Sequence, residues 1–404
     1  MAPEHLVVVG ASLAGLRAVE AARRFGHEGR ITLIGAEKHL PYDRPPLSKE
    51  FLDDPTSVDT HFPGVNELTE NLDVDVRLGT PASTLDVENK TVTVGDETIG
   101  YDALLIATGV EARSVPGAET LEGVHSLRTL DDAVAIRAAL DSSQRVVVVG
   151  AGFIGSEVAS SARKRGLEVT ILEGQATPLV RSIGEFAGIG LSSLHDRNGT
   201  DLRCGVAVSA LEGERHVTGV RLADGEVIPA DLVVVGIGAA PAVNWLTGSG
   251  LTLDNGIVCD STLQAAPGVW AAGDVARWRN PDFDLDMRLE HWTNAAEQAA
   301  HAVRNMLEPE AATEYRHVPY FWSDWYGYRI QFVGVAVGEP TVVTGQWDGD
   351  AFAALFRDGD RFMGALTLNR RADIMKYRAI IGRAGTWDEA LELAAKRNEA
   401  SPVA

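Results

Sequence analysis

The stretch VVVVGAGFIGSE, Val146 to Glu157, decides how this 404-residue chain is read. Four consecutive valines form the apolar run expected of a strand buried on both faces. Gly150, Gly152 and Gly155 then supply a tight turn, a close backbone approach and a helix packed tightly on its strand, which is how a strand and a helix N-terminus hold a pyrophosphate. Ile154 and Glu157 fall within the first turns of that helix.

A related stretch opens the chain. In LVVVGASLAG, Leu6 to Gly15, Gly10 makes the turn, Ser12 stands where the middle glycine is usual, and Gly15 lets helix and strand approach. A strand at His5–Gly10, a helix at Ser12–Phe25 and a strand at Ile31–Gly35 make a βαβ unit. Glu37 follows at close to the spacing of about 20 residues at which a carboxylate meets a ribose. The inner unit repeats this order with a strand at Val146–Val149, a helix at Ile154–Arg165, a strand at Glu168–Leu172 and the acid Glu173. A carboxylate there accepts from a free 2′-hydroxyl and repels a 2′-phosphate, so NADH is expected over NADPH. Arg181, further on, could meet such a phosphate instead. Two dinucleotide sites in one chain suit an enzyme that passes hydride between a flavin and a nicotinamide.

The remaining segments are read around these two units. PYDRPPLSK, Pro41 to Lys49, is expected to be a stiff irregular loop that carries Arg44 and Lys49. Val74 to Tyr101 reads as small antiparallel strands, and Ala103 to Gly109 as a buried strand ending in Thr108 and Gly109. A linker at Arg113–Gly117 precedes a helix at Leu130–Leu140. Ala230 to Gly238 is a further buried strand with a turn at Gly238. The run VWAAGD, Val269 to Asp274, delivers Asp274 after Gly273 to a strand's C-terminal edge, where ligands of doubly wound sheets lie. Trp292 to Met306 reads as a helix whose positive end could stabilise negative charge on a ring. From Thr313 an aromatic cluster at Tyr320 to Tyr328, four alternating stretches and two helical segments suggest a separate α+β domain.

Composition narrows the function classes. The net charge of -21 argues against nucleic acid and anionic membrane surfaces. No apolar run approaches the roughly 20 residues of a membrane helix, so a cytoplasmic location is expected. Cys204 and Cys259 sit in no paired motif, which suits a reducing compartment, suggests packing roles and offers no metal site. Without a closely spaced cysteine pair, electrons have no thiol route to leave a flavin.

Taken together, the motifs resemble the flavoprotein ferredoxin reductases of the rubredoxin, putidaredoxin and biphenyl-dioxygenase reductase type. The similarity spans essentially the whole chain. It is carried by GASLAG at 10–15, DRPPLSK at 43–49, ATG at 107–109, LRTLDDA at 127–133, VVGAGFIGSE at 148–157, AAGD at 271–274, WTNAAEQA at 292–299 and FWSD at 321–324. It implies an α/β fold like that of glutathione reductase, with two Rossmann-like domains and a C-terminal α+β domain. The FAD-binding domain would comprise residues 1–112 and 241–312, the NAD-binding domain 113–240 and the C-terminal domain 313–404.

The resemblance implies FAD contacts from Ala14, Lys49, Ala82, Arg128, Asp274 and Trp292, with Asp274 on the ribityl chain, Trp292 near the isoalloxazine, and Arg44 and Thr108 close by. Ala36 departs from the pattern, since related reductases often carry Asp there, and this leaves the adenosine ribose to Glu37. Glu157 and Lys49 would form an ion pair near flavin N5 and the nicotinamide, and Trp322 would pack close to one of the two rings. The implied reaction takes a hydride from NADH to FAD, then sends single electrons to a small iron-sulfur ferredoxin serving an oxygenase. The ferredoxin would meet a monomer or weak dimer transiently, and Arg370, Arg371, Lys376 and Arg378 are candidates for its docking patch. Two other readings share the fold. An NADH oxidase or peroxidase would place a reactive cysteine beside the flavin, and neither cysteine lies in such a motif. An NADH sensor resembling apoptosis-inducing factor would carry a basic surface for nucleic acid.

Overall fold

The computed structural model describes residues 3–54 and 58–400. It resolves into two compact units. The first comprises Met1–Asp43, Thr60–Glu111 and Ala240–His317; the second comprises Arg44–Asp59, Ala112–Ala239 and Val318–Ala404. The chain therefore passes from one unit to the other within the proline-rich stretch, between Asp43 and Arg44.

In the first unit, β1 (His5–Val9) leads through Gly10 to α1 (Leu13–Arg24), which returns the chain to β2 (Arg30–Gly35). The sheet continues with β3 (Val74–Leu78) beyond β2, and with β4 (Ala103–Ile106), Val269–Ala271 and Gln264–Ala266 on the other side of β1. Leu6 pairs in parallel with both Ile31 and Ala103. The order thus reverses at β1, and the crevice at its C-terminal end is where doubly wound sheets take ligands. Helix Trp292–Leu307 packs on α1.

The same unit departs from the sequence reading in one segment. Val74–Leu78 joins the main sheet in parallel with β2, with Val74 beside Ile31, and is not part of an antiparallel group. The antiparallel strands are Ala82–Asp86, Thr91–Val94 and Glu97–Gly100. An alternating run of five residues fits either neighbour, and only the pairing decides between them.

The second unit repeats the parallel plan. β5 (Arg145–Val149) carries all four valines buried, as helices or strands cover both faces. It is followed by α2 (Phe153–Lys164) and β6 (Glu168–Glu173), and it pairs in parallel with β6 and β7 (Leu232–Val235). Residues 44–59 add a short turn of helix at Pro45–Ser48 and another at Glu50–Asp53. The expected irregular loop is therefore partly helical, because proline tolerates the first helical positions, where its missing N–H has no partner to lose.

The C-terminal portion of this unit is a five-stranded antiparallel sheet in the order β8 (Tyr320–Trp325), β9 (Tyr328–Gly334), Arg361–Leu368, Phe352–Asp358 and Thr341–Gly345. The aromatic cluster at Tyr320 supplies the first strand, a fifth beyond the four alternating stretches. Tyr326 (φ 53°) and Gly327 (φ 87°) make the two-residue turn of the β8–β9 hairpin, where both central residues need positive φ. One face of β8, with Phe321 and Trp325, packs into a core with Phe332, Phe352 and Phe356. Helices α3 (Arg371–Gly382) and Trp387–Ala400 complete the domain.

Candidate active site

Each unit carries a strand–turn–helix glycine motif whose first and last glycines leave no room for a side chain. At Gly10 φ is +120°, and an added Cβ would lie 2.1 Å from the carbonyl oxygen of Ala107. The Gly10 N–H donates to Ile34 O at 2.8 Å, which fixes the turn above the sheet. A Cβ on Gly15 would stand 1.9 Å from Gly10 O, so the close packing of α1 on its strand requires glycine there. Ser12 is the N-cap of α1 and makes no side-chain capping bond. The first N–H groups of a helix are suited to meet an anionic ligand group such as a pyrophosphate.

Around this turn the first unit gathers its predicted residues. Glu37 lies just beyond β2 and accepts a hydrogen bond from Tyr42 Oη at 2.5 Å. The indole N–H of Trp292 donates to Asp43 Oδ1 at 2.7 Å. Gly273 (φ +79°) donates its N–H to Gln298 Oε1 at 2.8 Å, and its position is close-packed against Ala14. Asp274 follows, half-buried, and its carbonyl accepts from Arg288 at 2.9 Å. Thr108 donates to Ala242 O at 3.0 Å, Gly109 has φ +68°, and Ala82 opens its small antiparallel strand. Arg44, Lys49 and Arg128 belong to the second unit, where Arg44 donates to the carbonyl of Arg128.

In the second unit the turn at Gly150 has φ +105°, and a Cβ would lie 2.4 Å from Gly236 O. Gly155 is closed to a side chain by Gly150 O at 2.1 Å. Gly152, the N-cap of α2, is different: a Cβ there meets nothing closer than Gly236 O at 3.8 Å, which leaves room for a ligand against the backbone. Glu173 at the end of β6 accepts from the Ala151 N–H and the Gln175 N–H, each at 2.7 Å. This carboxylate is anchored to the glycine turn itself. Ile154 is exposed on the first turn of α2, and Arg181 lies beside Gly238 (φ +94°).

Glu157, on the next turn of α2, is 3% exposed. Lys49 Nζ lies 2.9 Å from its Oε2. Ser48 Oγ donates to the same oxygen and Ser323 Oγ to Oε1, each at 2.5 Å. Asp324, next along β8, is half-buried; burial pushes its carboxyl above the usual carboxylate range, opposed by Arg329 and Lys49. Trp322 stands on the other face of β8 from Ser323, beside Tyr320 and with Arg329 over its ring at 6.0 Å. The structure therefore joins Lys49 and Glu157 and adds Ser48 and Ser323, which sequence reasoning passed over. No local signal marks these serines as special, since their partner is 109 and 166 residues away.

One predicted basic position changes meaning. Arg370 is 6% exposed and bonds Asp373 at 2.7 Å, and Arg397 holds the other oxygen of the same carboxylate. Arg370 is a structural cation and not a docking residue. Arg371 and Lys376 are exposed on α3, and Arg378 is half-buried with a bond to Val318 O at 3.3 Å. Both cysteines are free thiols; burial pushes the Cys259 thiol up to about 12 and raises that of Cys204. Such thiols are poor nucleophiles and poor redox centres. Among the described residues no group of His, Cys, Asp and Glu is arranged to hold a metal ion, and no helix is long and apolar enough to cross a membrane.

Residues 4–299 match the family of pyridine nucleotide-disulphide oxidoreductases, and residues 320–398 match the reductase C-terminal domain. The chain belongs to this family. It is an FAD-dependent oxidoreductase. It is 36% identical to rhodocoxin reductase of Rhodococcus erythropolis over 93% of this chain and 89% of that one. It is 38% identical to the biphenyl dioxygenase system ferredoxin–NAD(+) reductase component of Paraburkholderia xenovorans, over 84% of this chain and 83% of the relative. The reductase in a crystal structure of the covalent putidaredoxin reductase–putidaredoxin complex superimposes with a TM-score of 0.89 at 31% identity, covering 98% of this chain and 99% of that one. The family name refers to disulphide chemistry, whereas the two cysteines of this chain are free thiols.

Proposed function

We propose that the chain is an NADH-dependent ferredoxin reductase, passing electrons to a small iron-sulfur ferredoxin that serves an oxygenase. The observation that carries the reading is the Lys49–Glu157 pair, set within two turns of the second glycine turn in a chain with two dinucleotide cradles. FAD, when bound, supplies the conversion of a two-electron hydride donor into a one-electron donor.

The residues divide the work. Gly10, Ser12, Ala14 and Gly15 with the N-terminus of α1 take the FAD pyrophosphate, and Glu37 takes the adenosine ribose. Asp274 would meet the ribityl chain, and Trp292, held by Asp43, would lie near the ring. Gly150, Gly152, Ile154 and Gly155 hold the pyrophosphate of NADH, Glu173 accepts from its ribose hydroxyl, and Gly238 lines the same turn. Lys49 and Glu157 position the nicotinamide, and Trp322 shields the reacting rings. No side chain need donate or accept a proton in the hydride step.

In domain terms we assign residues 1–112 and 241–312 to FAD, 113–240 to NAD and 313–404 to the C-terminal domain. Arg371 and Lys376 offer local positive charge to an acidic ferredoxin on a chain of net charge -21. The enzyme works in the cytoplasm as a monomer or weak dimer, and the ferredoxin binds transiently. The experiment that tests this reading is anaerobic titration of the flavin-loaded protein with NADH or NADPH. Bleaching of the flavin band at lower NADH than NADPH supports it, and equal response to both cofactors contradicts the assignment of Glu173.

A further inference from the structure

We propose that Ser323 and Ser48 are positioning residues for hydride transfer, their hydroxyls fixing the Glu157 side chain beside Lys49. The proposal rests on the role given to Glu157 above. The direction of the Ser323 bond follows from its second partner. The indole N–H of Trp325 reaches Ser323 Oγ at 2.8 Å, and an indole nitrogen can only donate. Ser323 Oγ therefore accepts from Trp325, and its single proton is left for Glu157 Oε1 at 2.5 Å. Trp325 is fully buried in the aromatic core of the C-terminal sheet, so that core aims the hydroxyl at a carboxylate on α2.

The two oxygens of Glu157 are served separately. Lys49 and Ser48 both meet Oε2, while Ser323 meets Oε1. Lys49 pairs with Glu157 directly, and the carboxyl of Asp324 on β8 is close enough to interact with both. On the far side of Ser156 lies His195, 3.4 Å from the Ser156 hydroxyl and kept neutral by burial, which holds it at about 4. Ser323 supplies the donor to the oxygen that Lys49 does not meet.

Stopped-flow reduction of the flavin by NADH, resolved into a limiting rate and an apparent NADH dissociation constant, tests the proposal. Ser323→Ala is expected to lower the limiting rate about tenfold while the dissociation constant and the FAD content stay as in the parent protein, and Ser323→Thr should restore the rate. Ser48→Ala should slow reduction less, because Lys49 still serves the same oxygen. If Ser323→Ala leaves the limiting rate unchanged, weakens NADH binding instead, or is not rescued by Ser323→Thr, the proposal is overturned. Should Ser323→Ala not fold, Trp325→Phe keeps the hydroxyl but frees its direction. A smaller loss of limiting rate then supports the proposal, and an unchanged rate overturns it. Glu157→Gln with an unchanged reduction rate would instead remove the role of Glu157, a result distinguishable from failure of the serines alone.

Discussion

Ser323 and Glu157 are 166 residues apart in the chain, and their side chains meet at 2.5 Å. With Lys49 at 2.9 Å on the other carboxylate oxygen, the contact draws together three separate stretches: the proline-rich segment, the helix after the second glycine turn, and the first strand of the C-terminal sheet. Replacing Glu157 with Ala leaves the ammonium of Lys49, whose side chain is 12% exposed, without its carboxylate. We expect a loss of stability on the order of 3 kcal/mol by chemical denaturation, with FAD still bound, and slower flavin reduction by NADH. Unchanged stability would mean that Lys49 finds solvent or another partner at no cost.

The two glycine turns should separate stability from affinity. Gly10→Ala puts a Cβ 2.1 Å from Ala107 O at φ +120°, so the protein should lose several kcal/mol and retain little FAD. Gly152→Ala has ordinary backbone angles (φ -77°) and open space around its Cβ. Its melting temperature should stay close to that of the parent, while KM for NADH rises about tenfold or more. A thermal melt and a KM measurement on each variant check both halves.

Much of this was legible in the sequence, because glycine spacing and apolar runs are local. The strand–turn–helix order at Gly10 and Gly150 and the parallel sheets follow from patterns within about 30 residues. What escaped depends on distant partners. Nothing near Ser48 or Ser323 shows that each faces a buried carboxylate, and nothing near Val74 shows that it pairs in parallel with β2. Arg370 and Arg371 look alike in sequence, but one turns inward to Asp373 and the other faces solvent.

That difference gives a paired prediction. Arg371→Glu with Lys376→Glu should raise KM for ferredoxin several-fold and flatten its salt dependence, while flavin reduction by NADH keeps its rate. Asp373→Ala removes the buried carboxylate that Arg370 and Arg397 share and should destabilise the C-terminal domain by about 3 kcal/mol, read as an earlier thermal transition.

Buried His195 predicts an acid-side loss of stability. Its folded pKa of about 4 lies below the usual 6.5, so the unfolded chain binds the proton more readily. Stability from this group is complete above about pH 6.5 and falls as pH drops toward 4, by on the order of 3 kcal/mol at most. His195→Gln should remove that part of the pH dependence in denaturant titrations, at a cost in bonds to Tyr326 and Ser156.

The most direct test of the reductase assignment is the fate of electrons once NADH has reduced the flavin. In stopped-flow experiments the reduced holoprotein is mixed with an oxidised iron-sulfur ferredoxin under anaerobic conditions, or with air-saturated buffer lacking ferredoxin. Reoxidation by ferredoxin at least about a hundred times faster than by dioxygen is the predicted result. Reoxidation by dioxygen at an equal or greater rate would contradict the assignment and point to an oxidase.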